Sequence, residues 1–199
     1  VDLLLAWPLP GSRELGAQLL AAYAHPDRRY HDTRHLREVL DRVHELSAQE
    51  VAFDRMAVVL AAWFHDAVYD GRPEAERRSA AWAAEALPTL VEPEVVDEVV
   101  RLVLLTETHR PADGDDNGGA LCDADLAILA APRERYGEYV AAVRQEYAHV
   151  DDALFAQGRA EVLRDLMAKP HLFHTAYARD AWEKTARTNV TRELAALGR

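Results

Sequence analysis

Cysteine is nearly absent from the 199-residue chain, where Cys122 stands alone. One thiol closes no intramolecular disulfide, so the fold must rely on packing, and nothing points to an oxidising compartment. Lysine occurs only at 169 and 184, which leaves arginine to carry nearly all the positive charge. Basic residues are outnumbered, 23 against 34 acids, for a net charge of −11. Such a surface repels a phosphate backbone and argues against a nucleic acid polymer as partner. A small phosphorylated molecule held in a local pocket stays compatible with it. Runs rich in Val, Ile, Thr and Tyr, which would make strands, are hard to find. The opening VDLLLAWPLPG lacks a basic start and is too short to span a bilayer. A cytoplasmic location with no membrane partner is the expectation. Internal repeats, low-complexity tracts and linkers are also missing, so residues 1–199 are expected to form one domain.

What is present is helical periodicity. Alanine, leucine, arginine and glutamate are abundant, and the nine prolines cluster between periodic segments. Ser12 to Ala24 predicts a first helix with Ser12 as its cap and Leu15, Leu19, Leu20 and Tyr23 inward. After a loop at 25–32, Leu36, Val39, Leu40, Val43 and Leu46 mark an amphipathic second helix. Asp54 to about Tyr69 is apolar on nearly every face and predicts a central third helix. Proline opens each of the next two, Pro73 to Leu87 and Pro93 to Glu107. A polar loop at 109–119 leads into LCDADLAILA, and helices near 132–148, 151–168 and 179–197 follow. The fold class read from this pattern is all-α, a bundle of eight or nine helices with its core over about 30–130 and the C-terminal helices packed on it.

Polar residues embedded in apolar runs carry the chemistry. Met56 to Phe64 is apolar without a break, and then His65 and Asp66 arrive side by side. A buried carboxylate is costly without a partner. His35 lies beside the apolar stripe of the second helix, and Asp123 and Asp125 interrupt LCDADLAILA. Imidazoles and carboxylates brought from three helices into a bundle core are the ligands of a divalent metal ion, with either Asp123 or Asp125 completing the set. The stretch DGDDNG (113–118) imitates the start of a calcium loop, but its twelfth position is Ala124 where a bidentate glutamate belongs.

The order His35, His65-Asp66, Asp125 resembles the H…HD…D signature of the HD-domain superfamily of metal-dependent phosphohydrolases. Its surroundings, RYHDTRHL, FHDAVYDG with ERRSA after it, LLTETH, DADLAIL, RYGEYVAAVRQEY, GRAEVL and ARTNVTREL, are similar to the small uncharacterised family labelled predicted metal-dependent HD superfamily phosphohydrolase. The resemblance covers about residues 12–197. It departs from the family at Asp32, where asparagine is usual, and at Ala75, which replaces the asparagine of an Asn-Glu pair. The resemblance implies an HD-type helical bundle holding one divalent metal ion (Mg, Mn, Co, Ni, Zn or Fe) on His35, His65, Asp66 and Asp125, with Asp123 behind them. It implies hydrolysis of a small phosphorylated metabolite or nucleotide by a metal-activated water. An HD-type dinuclear iron oxygenase and a non-catalytic nucleotide-binding sensor are the alternatives.

Further roles follow from position. Asp66 is placed to orient or deprotonate the water, and His109, Glu76 and His31 are candidates for protonating the leaving oxygen. His31 lies one turn before His35, and residues four apart share a helix face, so it is expected beside the metal ligands, within reach of substrate. Arg34 and Arg110, each beside a candidate histidine, are expected to contact phosphate, and Tyr69 and Asp70 follow the HD pair closely enough to touch substrate. His25, His44, His149, His171 and His174 are expected to be structural or solvated, and Cys122, Trp63 and Trp82 to be core residues.

Overall fold

The computed structural model describes residues 3–198, which form ten α-helices and no strand among them. The all-α fold is therefore the one the periodicity implied. In chain order the helices are α1 (Arg13–Tyr23), α2 (Thr33–Ala48), α3 (Arg55–Phe64), α4 (Ala75–Ala86), α5 (Pro93–Leu105), α6 (Asp116–Leu126), α7 (Arg133–Glu146), α8 (Asp152–Ala168), α9 (Ala176–Ala181) and α10 (Glu183–Leu197). The last helix of the sequence reading begins earlier, at Ala176, and breaks at Trp182, which creates the short α9.

Helix α3 sits at the centre, against α2, α4, α5 and α6. Its residues Val58, Leu60, Ala61, Trp63 and Phe64 are fully enclosed, and Trp63 meets Trp7 edge-on with ring centroids 5.2 Å apart. Asp54 starts it by accepting from the backbone N–H groups of Met56 and Ala57. The helix was expected to run to about Tyr69 but stops at Phe64. There the i to i−4 ladder is diverted: Asp66 N–H donates to Tyr23 Oη (3.2 Å) and Ala67 N–H to the Phe64 carbonyl. His65 Nδ1 donates to the Ala62 carbonyl (2.8 Å) that Asp66 N–H would have used, and the Arg28 guanidinium takes the carbonyls of Asp66 (2.7 Å) and Ala67 (2.9 Å). Val68 N–H goes instead to Ser79 Oγ of α4.

Helix α2 buries Leu36, Val39, Leu40, Val43 and Leu46 as its stripe requires, together with His35. Asp32 caps it, accepting from Arg34 N (2.8 Å) and His35 N (3.2 Å). Ser12 is not a side-chain cap for α1; its hydroxyl donates back to Leu9 O. The polar loop before α6 ends sooner than expected, because Asp115 accepts from Gly118 N and is gripped by Arg101, so the helix begins at Asp116. Cys122 is a buried core residue, and Trp82 packs edge-on against Phe64.

The C-terminal helices are tied to this core by buried polar groups. Asn189 of α10 donates to the carbonyls of Leu129 and Ala131, in and just after the 3₁₀ turn that follows α6. Glu193 joins α7, α8 and α10, accepting from Arg159 (2.8 Å) and from the Tyr136 hydroxyl. No described helix is long and apolar enough to cross a membrane.

Candidate metal centre

Three elements deliver side chains to one point. The first turn of α2 brings His35, the turn that ends α3 brings His65 and Asp66, and the last turn of α6 brings Asp125. His35, His65 and Asp66 each offer a ligand atom within 4.8 Å of the others. His35 Nε2 lies 3.1 Å from His65 Nε2 and 3.3 Å from Asp66 Oδ2. His65 Nε2 is 3.1 Å from the same Asp66 oxygen. Asp125 Oδ1 extends the cluster, 3.2 Å from His35 Nε2 and 3.7 Å from His65 Nε2.

This donor set fits a cation. His65 Nδ1 is 2.8 Å from the Ala62 carbonyl and must donate to it, so in the neutral ring Nε2 carries a lone pair. That lone pair faces another imidazole nitrogen and two carboxylate oxygens, which leaves far more acceptors than protons. Ligands about 2.1 Å from a metal stand roughly 3.0 Å apart when cis on an octahedron and roughly 3.4 Å apart on a tetrahedron, which brackets most of the separations above. Electrostatics agree. Burial opposes charge on both imidazoles, yet Asp125 and Asp66 outweigh it, raising His65 and holding His35 up at about 10. Burial likewise opposes ionisation of Asp66 and Asp125, but the surrounding imidazoles hold both below the usual carboxylate range. The pair of acids calls for positive charge between them, from protons or from a metal that replaces them.

Of the DAD pair, Asp125 faces this cluster. Asp123 does not stand behind it. Its carboxylate turns to the opposite side of α6 and accepts from the backbone N–H groups of His174 (2.6 Å) and Thr175 (2.7 Å). Residues two apart on a helix are rotated by about 200°, which separates the two duties.

His109 and His31 flank the centre. His109 Nε2 is 2.8 Å from Asp125 Oδ2, the oxygen turned away from the imidazole pair. It adopts a left-handed backbone (φ 50°), and its carbonyl accepts from Lys169 Nζ at 2.9 Å. His31 lies outside α2, so the helical i, i+4 argument does not bring it here. Glu146 at the end of α7 does: Oε1 accepts from the N–H groups of Arg29, Tyr30 and His31, and Oε2 lies 2.7 Å from His31 Nδ1. The imidazole stacks on Tyr69 with centroids 3.9 Å apart.

Asp66 and Asp125 of the cluster line the floor of a pocket of about 1030 Å³, while His35 and His65 are buried beside them; Tyr30, His31, Tyr69, Glu76 and His109 also line it, with α7 and α8. Glu76, on the first turn of α4, is half-buried at this wall. Arg110 also lines it, but its Nη2 donates to both carboxylate oxygens of Asp165. Two of the expected substrate contacts are engaged elsewhere. Arg34 is exposed and paired with Glu38 and Glu138, and Asp70 is gripped by Arg78 through both oxygens while accepting from Arg72 N.

Arg28 and Glu146 escaped the sequence reading. Arg28 is only 8% exposed, spends its donors on the carbonyls of His31, Asp66 and Ala67, and lies over the Tyr23 ring at 5.0 Å. Tyr23 Oη in turn accepts from Asp66 N at 3.2 Å. Together they fix the backbone that carries the His-Asp pair. Nothing in HPDRRYHD distinguishes this arginine from its neighbour. No family model, curated protein or solved structure matches the chain.

Proposed function

We propose that the chain is a metal-dependent phosphohydrolase of the HD type, acting on a small phosphorylated molecule. The observation that carries the reading is the convergence of His35, His65, Asp66 and Asp125, with the two carboxylates lining an open pocket. These four side chains would hold one divalent cation, and two imidazoles among them favour a transition metal over magnesium. Such a cation neutralises phosphoryl charge and acidifies a water when bound.

The chain's own groups supply the rest. Arg28 and Tyr23 hold the Asp66 backbone so that its carboxylate faces the floor. His109 fixes Asp125 through the oxygen the imidazole pair does not use. Glu146 accepts the Nδ1 proton of His31 and leaves Nε2 as the atom that exchanges a proton in the pocket. Hydrolysis adds a water oxygen to phosphorus as the ester P–O bond breaks, and His31 Nε2 is the group we assign to protonate the departing oxygen. The same reading takes a cytoplasmic setting, with neither nucleic acid polymer nor membrane as partner.

The test is phosphate release from a panel of esters with Mg, Mn, Co or Ni, comparing the wild type with Asp66→Ala. Release that depends on the metal and vanishes in the variant is expected; equal activity in both removes this site from the mechanism. The oxygenase alternative draws on the proximity of His31 and His109 to the floor. Metal analysis separates the two, since two irons per chain with oxygen consumption would replace hydrolysis as the reading.

A further inference from the structure

The floor of the pocket asks for a phosphoryl group, but its walls ask for something else. Away from the metal ligands the lining comes from Ile128 and Leu129 below, Val143 of α7, and Leu154, Phe155 and Val162 of α8. Leu154 is 62% exposed and Val162 55%, among the most open large apolar side chains of the described residues. A helix that leaves leucine and valine uncovered beside a deep pocket presents a surface suited to an apolar ligand. At about 1030 Å³ the pocket also far exceeds what a phosphate alone would fill.

Charge narrows the choice. Two arginines reach the lining, and both are committed: Arg110 to Asp165, and Arg159 to Glu193 and the Tyr139 hydroxyl. Glu76, Glu107, Glu161 and Asp165 line the same walls as acids. A second or third phosphate would meet carboxylates there without a free cation to receive it, and like charge in a cleft repels. The walls therefore select against nucleoside di- and triphosphates.

From these walls we infer that the ligand is a phosphomonoester whose organic part is uncharged, apolar or aromatic, and lies along α8. The phosphoryl end rests on the phosphohydrolase reading above; the organic end rests on the walls alone. The two are tested apart by calorimetric binding of alkylphosphonates, from methyl to octyl, to the manganese-loaded 199-residue chain, alongside hydrolysis of the matching alkyl phosphates. Affinity should rise about threefold to fourfold for each methylene added until the wall is covered. Val162→Gln, an uncharged change at an exposed position that leaves the core intact, should abolish that rise while methylphosphonate binding stays unchanged.

Affinity independent of chain length, absence of binding, or tighter binding of methylenediphosphonate than of octylphosphonate overturns the inference. So does a rise that persists in Val162→Gln while sedimentation shows that the variant has lost a dimer, because a second copy would then be what covers α8. Length-dependent binding without hydrolysis of any ester keeps the inference and removes the hydrolase reading instead.

Discussion

Arg28 shows how a charged side chain can be invested in backbone geometry. Its guanidinium ties His31 to the turn after α3 by way of the carbonyls of His31, Asp66 and Ala67. Arg28→Met keeps much of the apolar stem but leaves those carbonyls unpaired, so the His-Asp turn loses its fixed direction. Manganese affinity measured by calorimetry should fall by about 10- to 100-fold, the range seen when groups that orient ligands are removed, with the helical circular dichroism preserved. Glu146 works through protonation. Burial pushes its carboxyl up, but the His31 imidazole and the N–H groups of 29–31 more than offset this and hold it down at about 2, against an ordinary 4.5. Because the folded value is depressed, the stabilisation is complete above about pH 4.5 and is lost as pH falls toward 2. Denaturant unfolding should place Glu146→Gln about 3 kcal/mol below the wild type at pH 7, with the gap closing between pH 4.5 and pH 2.

At the scale of elements, α6 carries two functions on opposite sides. Asp123 replaces solvent for the N–H groups of His174 and Thr175, just before α9, and so ties α6 to the C-terminal helices. Asp123→Ala leaves two buried donors without an acceptor and should cost about 2–4 kcal/mol, a fall of roughly 5–12 °C in the unfolding midpoint of a protein this size. Asp123→Asn, which keeps one acceptor oxygen, should fall between the two by the same scan. The stripes of α2 and α3 were legible in the sequence because burial writes a period into apolar residues, and a histidine or aspartate that interrupts such a run stands out. His35, His65, Asp66 and the DAD pair were found that way. Arg28 and Glu146 were not, because they sit in polar segments and meet partners 38 and 115 residues away, as Arg28 does at Asp66 and Glu146 at His31. Local pattern cannot register a contact of that range. The end of α3 was missed for the same reason, since the Tyr23 hydroxyl that takes Asp66 N–H lies in α1.

For the whole molecule, the candidate centre gathers its side chains from α2, the end of α3 and α6, so a cation that bound there in the folded chain alone would be linked to global stability. At manganese about 100-fold above its dissociation constant, the linkage is worth about 2.7 kcal/mol, a rise of roughly 5–10 °C in the unfolding midpoint. A chelator should erase the rise, and Asp125→Ala should show none. The DAD segment extends this linkage to the C-terminal half, because Asp123 grips the chain ahead of α9 while Asp125 reaches the floor of the pocket. Consider a single residue inserted between Gly119 and Asp123: everything after it would turn by about 100° about the helix axis. Latch and ligand would be carried off their targets together, although every side chain in the protein was still there. The length of helix α6 ahead of Asp125 is therefore fixed as strictly as the identity of its two carboxylates.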